Sequence, residues 1–375
     1  MSKEITLTRN ALMAAMKTVA PAVGKEHPFN MVRLESVTCG EGSVVSLTTT
    51  NGDIQIEWRQ TLETAGESLT FILNAQRFAA FVNAMQGVDV TVERAGKSKV
   101  RIDCGDASFG LAIDDDAVLP ILGGQENTCA AKFFIEAKTM KEMLRNVKFA
   151  ICKDESRPAV IRGVHVKLAK DVLTLEATDG RMAARVQGTA ECDASVDGSF
   201  ILTRKSVDIL YGLLDESDEC ILINSDGKMA RFTADAWALG TRLVAGTYPE
   251  LDRVFQMNTN HAATLERGAL ISAINQAVLA AGDEGIVKLT LKAERSTVEG
   301  QCDIATAKVE TKCTLADDDA TSTTIHLTAR LLKGLIDSID DDTVTIRYSD
   351  GEHPIKLLCS IPWLAVLMTC SKNKR

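Results

Sequence analysis

The sequence is poor in the residues from which most active sites are built. Its five histidines, His27, His165, His261, His326 and His353, stand apart, with no metal-ligand spacing. Ten cysteines are present (Cys39, Cys104, Cys129, Cys152, Cys192, Cys220, Cys302, Cys313, Cys359, Cys370), but no two have Cys-x-x-Cys spacing. They read as reduced thiols of a cytosolic protein, mostly small core residues. Aromatic residues make up only 5% of the chain, so base stacking is not expected. No apolar run reaches the roughly 18 residues of a membrane span. Met1 to Arg9 holds Lys3, Glu4 and Arg9 without an apolar core, so no secretory signal is expected either. No Ser/His/Asp or Cys/His arrangement stands out at motif level. Gly96-Lys97-Ser98 is like the end of a phosphate-binding loop, but that loop needs a glycine where Thr91 stands, inside a strand. A basic excess is also lacking. The net charge of −9, if evenly spread, would repel nucleic acid.

Three aspartate runs are present: Asp114-Asp115-Asp116, Asp317-Asp318-Asp319 and Asp340-Asp341-Asp342. Such clusters can hold magnesium for phosphoryl chemistry, which keeps a metal-dependent phosphoesterase as an alternative. The plainer reading is solvated loops, because each run follows the end of an element and no histidine joins it.

What is present is a repeat. Amphipathic windows with helical spacing run over 9–23, 74–86, 136–151, 203–214, 266–281 and 328–339, with Thr8 and Asn74 as candidate N-caps. First and second helices of each pair recur about every 125–130 residues, the length of a whole domain. Between them lie period-2 strands joined by turns. Val44–Thr50 and Asp53–Trp58 flank Asn51-Gly52; Val88–Glu93 precedes Lys99–Ile102. Cys220–Asn224 and Lys228–Thr233 flank Ser225-Asp226-Gly227, and Thr343–Tyr348 and Pro354–Cys359 flank Ser349-Asp350-Gly351. Linkers are expected over 120–127 and 252–260. This predicts an α+β chain of three similar domains, 1–125, 126–255 and 256–375, each with two helices packed on antiparallel sheets. The charge is uneven: the six helical windows carry an excess of seven positive charges in a chain whose net charge is −9. If they gather on one surface, that surface attracts phosphates without reading bases.

The most distinctive stretch runs from Phe149 to Val186. It passes from a helix end through Asp154-Glu155-Ser156-Arg157-Pro158 into a strand over 160–168, turns at Lys170-Asp171, and returns to Ala177-Thr178-Asp179-Gly180-Arg181. With Gly163, with Tyr248-Pro249-Glu250-Leu251-Asp252-Arg253-Val254, and with the helix starts Asn74-Ala75-Gln76-Arg77-Phe78 and Thr203-Arg204-Lys205, it resembles the bacterial DNA polymerase III beta-subunit family, the beta sliding clamps. The resemblance covers almost the whole length.

The resemblance implies a clamp fold and a head-to-tail homodimer, a six-domain ring with sheets outside and helices inside. Such a ring is non-catalytic, needs no cofactor or metal, and acts in the cytoplasm as a polymerase processivity factor. Its partners would be duplex DNA of any sequence, a clamp loader, the replicative polymerase and other replication and repair proteins, with no membrane. DNA-facing residues would be Lys17, Lys25, Arg77, Lys138, Lys141, Arg145, Lys148, Lys153, Arg157, Arg204, Lys205, Arg267, Arg330 and Lys333. A pocket for a partner peptide with leucine and phenylalanine anchors would include Val160, Thr178, Gly180, Arg181, Met182, Ala183, Pro249, Val254, Val366 and Met368. The dimer seam would involve Arg77, Lys99, Phe109 and Leu111 on one side and Val278, Leu279 and Asp303 on the other. The chain departs from the family pattern in having Arg181-Met182-Ala183 after Thr178-Asp179-Gly180, and in its last residues, Met368 to Arg375. A diverged phage or mobile-element paralogue with a restricted partner set therefore stands beside the standard clamp.

Overall fold

The computed structural model describes residues 4–64, 66–120, 122, 131–192, 197–282, 285–316, 322–339, 341–358 and 363–370. Most of the expected linker 120–127, Cys129, Asp317 to Asp319, Asp340, Cys359 and the last residues 371–375 lie outside these. The element order is one pattern run three times. The first round is β1 (Glu4–Thr8), α1 (Arg9–Val19), β2 (Met31–Cys39), β3 (Gly42–Thr50), β4 (Ile54–Leu62), β5 (Leu69–Asn74), α2 (Ala75–Ala84), β6 (Asp89–Arg94), β7 (Lys99–Cys104) and β8 (Ala107–Ala112). The second is β9 (Ala131–Glu136), α3 (Ala137–Lys148), β10 (Gly163–Ala169), β11 (Val172–Thr178), β12 (Met182–Thr189), β13 (Gly198–Thr203), α4 (Arg204–Leu213), β14 (Cys220–Ser225), β15 (Met229–Thr233) and β16 (Trp237–Arg242). A short helix, α5 (Asp252–Phe255), precedes the third: β17 (His261–Glu266), α6 (Arg267–Ala281), β18 (Ile286–Leu291), β19 (Glu294–Gln301), β20 (Thr306–Leu315), β21 (Thr323–Thr328), α7 (Ala329–Asp337), β22 (Thr343–Tyr348), β23 (Ile355–Leu358) and β24 (Trp363–Leu367).

The helices start where side chains can satisfy free backbone N–H groups. The Thr8 hydroxyl accepts from Ala11 N–H at 3.2 Å, and the Asn74 amide oxygen from Arg77 N–H at 3.0 Å. A cap of this kind contributes about 1 kcal/mol. The Glu266 carboxylate does the same for α6, accepting from Gly268 and Ala269 N–H. Buried residues on α1 are Leu12, Ala15, Met16 and Val19, a stripe at helical spacing. The alanines of α6 let it lie directly on β19: a Cβ at Gly300 would sit 2.0 Å from the Ala277 carbonyl oxygen.

The described chain divides into two compact units. The first, residues 1–137 with 208–243, holds a four-stranded sheet, β1-β6-β7-β8, and an eight-stranded sheet, β5-β2-β3-β4-β16-β15-β14-β9. The second, residues 138–207 with 244–375, holds a twelve-stranded sheet, β13-β10-β11-β12-β24-β23-β22-β17-β20-β19-β18-β21. Each round thus supplies two four-stranded sets. In the first unit the sets meet where β4 pairs antiparallel with β16, placing Trp58 opposite Trp237. In the second they meet where β12 pairs with β24, placing Ala183 opposite Val366. The α+β class with antiparallel sheets is as the periodicity predicts.

Two local expectations change. Residues 160–162 do not belong to a strand; Ala159–Arg162 form a 3₁₀ turn and β10 begins at Gly163. Pro158 has no N–H to give a strand ladder, and the turn is closed by Cys152 N–H bonding the Ile161 carbonyl at 3.1 Å. The stretch from 252 onward, read as linker, opens with α5.

Candidate functional site

The Thr178–Met182 turn is built by its own side chains. The Thr178 hydroxyl donates to the Met182 carbonyl at 2.7 Å and accepts from Gly180 N–H at 3.1 Å. The Asp179 carboxylate accepts from Arg181 and Met182 N–H, both at 2.8 Å. Gly180 takes φ 84°, which a side chain would oppose. The turn is not unique: Thr50–Ile54 repeats it bond for bond, and at Ser225–Met229 the hydroxyl again accepts from Gly227 N–H and the Asp226 carboxylate from Lys228 and Met229 N–H. The turn is therefore structural chemistry, and what distinguishes Thr178 is its surroundings.

Beside it lies a cavity of about 230 Å³. Thr178, Gly180, Arg181, Met182 and Ala183 line one side, Pro249, Leu251 and Val254 another, with Val366, Met368 and Ile161 completing it. The floor is apolar: Ala183, Leu251 and Val366 are buried within a cluster that also holds Ile201, Tyr248 and Phe255. Met368 is half exposed at the mouth and Arg181 is exposed at the rim. Of the residues expected in a peptide pocket, Val160 is the one that does not line this cavity; it packs against the cluster beneath. Ile161 and Leu251 line it without having been singled out. Leu251 lies inside the Tyr248–Val254 segment, so that segment was the available signal.

Behind the cavity stands an ionic row that the sequence does not announce. The strand register sets His165 opposite Glu176 and Glu176 opposite Arg185, across β10, β11 and β12. His165 Nδ1 lies 3.2 Å from Glu176 Oε2, and Arg185 Nε donates to Glu176 Oε1 at 2.5 Å. Arg185 Nη2 reaches on to Asp252 Oδ1 at 2.5 Å, and its guanidinium lies over the Phe255 ring, 4.4 Å from the centroid. Burial pushes the Glu176 carboxyl up, but the His165 hydrogen bond and the Arg185 charge outweigh it, so its pKa falls below the ordinary value. Hydrogen bonding to Arg185 and its charge also lower Asp252. Burial, then the Glu176 charge, pushes the Tyr248 phenol up, and its ring stacks on His165 at 4.8 Å.

Of the basic residues expected to face DNA, Lys17, Lys25, Arg77, Lys138, Lys153, Arg157, Arg204, Lys205, Arg330 and Lys333 are exposed; Lys141, Arg145, Lys148 and Arg267 are half-buried. Arg157 lies 3.9 Å from Asp154, whose carboxyl is held low chiefly by the Ser156 hydroxyl and N–H. At the expected seam, Phe109 stacks on Phe81 at 4.7 Å, and Leu111 and Val278 are buried within their own units. Leu279 is 85% exposed, Arg77, Lys99 and Asp303 are exposed, and Ile304 beside Asp303 is 95% exposed. The first aspartate run is engaged structurally: Asp114 bonds His27 and the Ala117 N–H, and Asp115 pairs with Arg94 at 3.0 Å. Among the described residues no group of His, Cys, Asp and Glu is arranged to hold a metal ion.

Residues 134–250 match the family described as DNA polymerase III beta subunit, central domain. Curated relatives include the beta sliding clamp of Chlamydia pneumoniae, 23% identical over 304 residues, covering 78% of this chain and 79% of that protein. The beta sliding clamp of Staphylococcus aureus (strain Mu50) is 22% identical over 364 residues, covering 94% and 95%. Among solved structures, DNA polymerase III subunit beta from Pseudomonas aeruginosa superposes with TM-score 0.88 at 20% identity, over 98% of this chain and 99% of that one. The DNA polymerase sliding clamp of Bacillus subtilis gives 0.87 at 19%, over 99% of each. Over the whole length, then, the likeness to solved structures is one of fold.

Proposed function

The chain belongs with the bacterial DNA polymerase III beta subunits, in its central domain by sequence and over its length by fold, and on that premise we propose that it is a non-catalytic sliding clamp. Two copies form a closed ring around duplex DNA and tether the replicative polymerase and other replication and repair proteins, and a loader opens the ring. Three domains, 1–125, 126–255 and 256–375, are the units of the ring.

The observation that carries this reading is a pair of open strand edges. In the first round β4 finds β16, and in the second β12 finds β24. By the same rule β20 needs β8, the corresponding last strand. Among the described residues, β8 pairs only with β7, and Thr306–Lys312 of β20 pairs only with β19. Open edges of this kind invite another chain. Pairing β20 of each copy with β8 of the other uses all four edges and closes the assembly with two equal seams. Leu279 and Ile304, exposed near the β20 edge, and Phe109 on β8 supply the apolar contact.

The charge pattern supports encirclement of DNA. Basic residues concentrated on helices of an acidic chain meet phosphates without sequence readout, and weak dispersed contacts permit sliding. The cavity beside Thr178 is the docking site for short partner peptides: an apolar floor with Thr178, Arg181 and backbone groups at its edge suits leucine and phenylalanine anchors. A cytoplasmic setting fits the free thiols Cys39, Cys104, Cys152, Cys220, Cys302, Cys313 and Cys370. Among the described residues no helix is long and apolar enough to cross a membrane.

The test is retention on DNA. A clamp incubated with nicked circular duplex elutes with it through gel filtration at moderate salt and is lost from linear duplex of equal length. Equal retention on both forms would reduce the protein to an ordinary electrostatic binder.

A further inference from the structure

One wall of the cavity has little reason to stand by itself. α5 is a single turn of four residues with no side-chain cap at Leu251, and so short a helix is unfavourable alone. Yet this segment brings Leu251 and Val254 to the cavity. Two kinds of contact hold it. Leu251 and Phe255 are buried in the cluster beneath. Two cations grip its ends: Arg185 bonds Asp252 at the start, and Lys356 Nζ donates to the Phe255 carbonyl at 2.8 Å at the finish.

The two grips differ in kind. Lys356 meets one carbonyl. Arg185 bonds Glu176 on the sheet and Asp252 on the helix with one guanidinium, and stacks on Phe255 as well. Its planar fork fits this task, whereas a lysine has neither fork nor flat face. Glu176 is itself fixed, its side chain only 7% exposed and its second oxygen on His165. Arg185 therefore carries the position of a rigid sheet across to a helix that cannot set its own. The Asp252 end of the bridge is open to water, its side chain 54% exposed. An ion pair there contributes little to global stability but fixes where the wall stands.

We propose that Arg185 is the positioning residue of the peptide pocket, holding α5 at the distance from the Thr178 turn that a docking peptide requires. The proposal rests on the reading of the cavity as a peptide-docking site. A wall set loosely by even an ångström loses complementarity without losing the fold.

The experiment measures binding of a fluorescein-labelled synthetic peptide with one leucine and one phenylalanine anchor, by polarisation, on the full-length dimer. Asp252→Asn and Arg185→Gln each weaken the probe by about tenfold. The double variant weakens it no further than Arg185→Gln alone, because Asp252 acts on the wall only through Arg185. Arg185→Lys, which keeps the charge but not the fork, remains weak, and the melting temperature of Asp252→Asn stays at the wild-type value. Val254→Asp, on the wall itself, abolishes binding. If Val254→Asp abolishes binding while Asp252→Asn and Arg185→Gln bind as wild type, or their losses add, Arg185 does not position the wall and the pocket reading stands. If the wild type does not bind the probe, or Val254→Asp binds it normally, the pocket reading falls and the positioning role with it. Should Arg185→Gln not fold, Asp252→Asn decides alone.

Discussion

The turns at Thr50 and Thr178 share a backbone and differ in purpose. In both, a threonine hydroxyl bridges the turn and an Asn or Asp side chain collects the following N–H groups. Both also receive a backbone bond from the next round's last strand, Arg242 N–H to the Asp53 carbonyl and Met368 N–H to the Arg181 carbonyl, each at 2.9 Å. Around Thr50 the space is taken: the Phe29 ring lies 3.4 Å from where a Cβ on Gly52 would be, and Arg242 pairs with Asp53 at 3.3 Å. Around Thr178 the corresponding pair is Met368 and Arg181, and nothing lies within 4 Å of a Cβ on Gly180. The comparison teaches that the site is made by what does not fill the space beside a common turn. It separates the Thr178-Asp179-Gly180 turn, which borders a cavity, from the like-built Thr50-Asn51-Gly52 turn, whose side is filled.

Three predictions would break or sharpen that comparison. The largest effect is expected from transplanting the first turn's occupants onto the second. Arg181→Asp with Met368→Arg should recreate the Asp53–Arg242 pair across the cavity mouth. Peptide binding should fall by about a hundredfold, the factor that ~2.7 kcal/mol represents, with circular dichroism unchanged. Undiminished binding by polarisation would show that the mouth does not define the site.

Next come the hydroxyls that the turns share. Thr50→Val and Thr178→Val each strip a buried backbone N–H and carbonyl of their partner, at a cost of about 1–3 kcal/mol. Urea denaturation should show similar losses for both, while only Thr178→Val weakens peptide binding. A loss confined to one turn would mean that their common geometry conceals different energetics.

The smallest effect concerns pH. The lowered pKa of Glu176 means that its ionised form is favoured in the folded state. Its contribution is present above the unfolded carboxylate value of about 4.3 and is lost as pH falls through the folded value. The wild-type urea midpoint should therefore drop on acidification more than that of Glu176→Gln. Parallel curves would show that the Glu176 pairing with His165 and Arg185 adds nothing to the stability of the fold.

Much of this was legible in the sequence, and the parts that were not have a common cause. Thr8, Asn74 and the four hairpins could be read because caps and period-2 alternation are local. Thr178 to Ala183 could be placed beside Val366 through the family resemblance. α5 was read as linker because its four residues carry no helical period; the groups it meets, Arg185, Lys356 and the buried cluster beneath, come from far away in sequence. His165, Glu176 and Arg185 were passed over because their spacing matches no motif. Only the register of three antiparallel strands sets them in a row. Val160 was placed in the pocket by the resemblance, position for position, but within the 3₁₀ turn Ala159–Arg162 it is Ile161 that lines the cavity.

The central claim, that closure rather than affinity holds this protein on DNA, is tested most directly by cutting. Protein retained on nicked circles is followed by fluorescence while a restriction enzyme linearises them at a single site. Closure predicts release as soon as ends appear, at a salt concentration where the uncut circle keeps its protein. Continued retention on the cut DNA would contradict it.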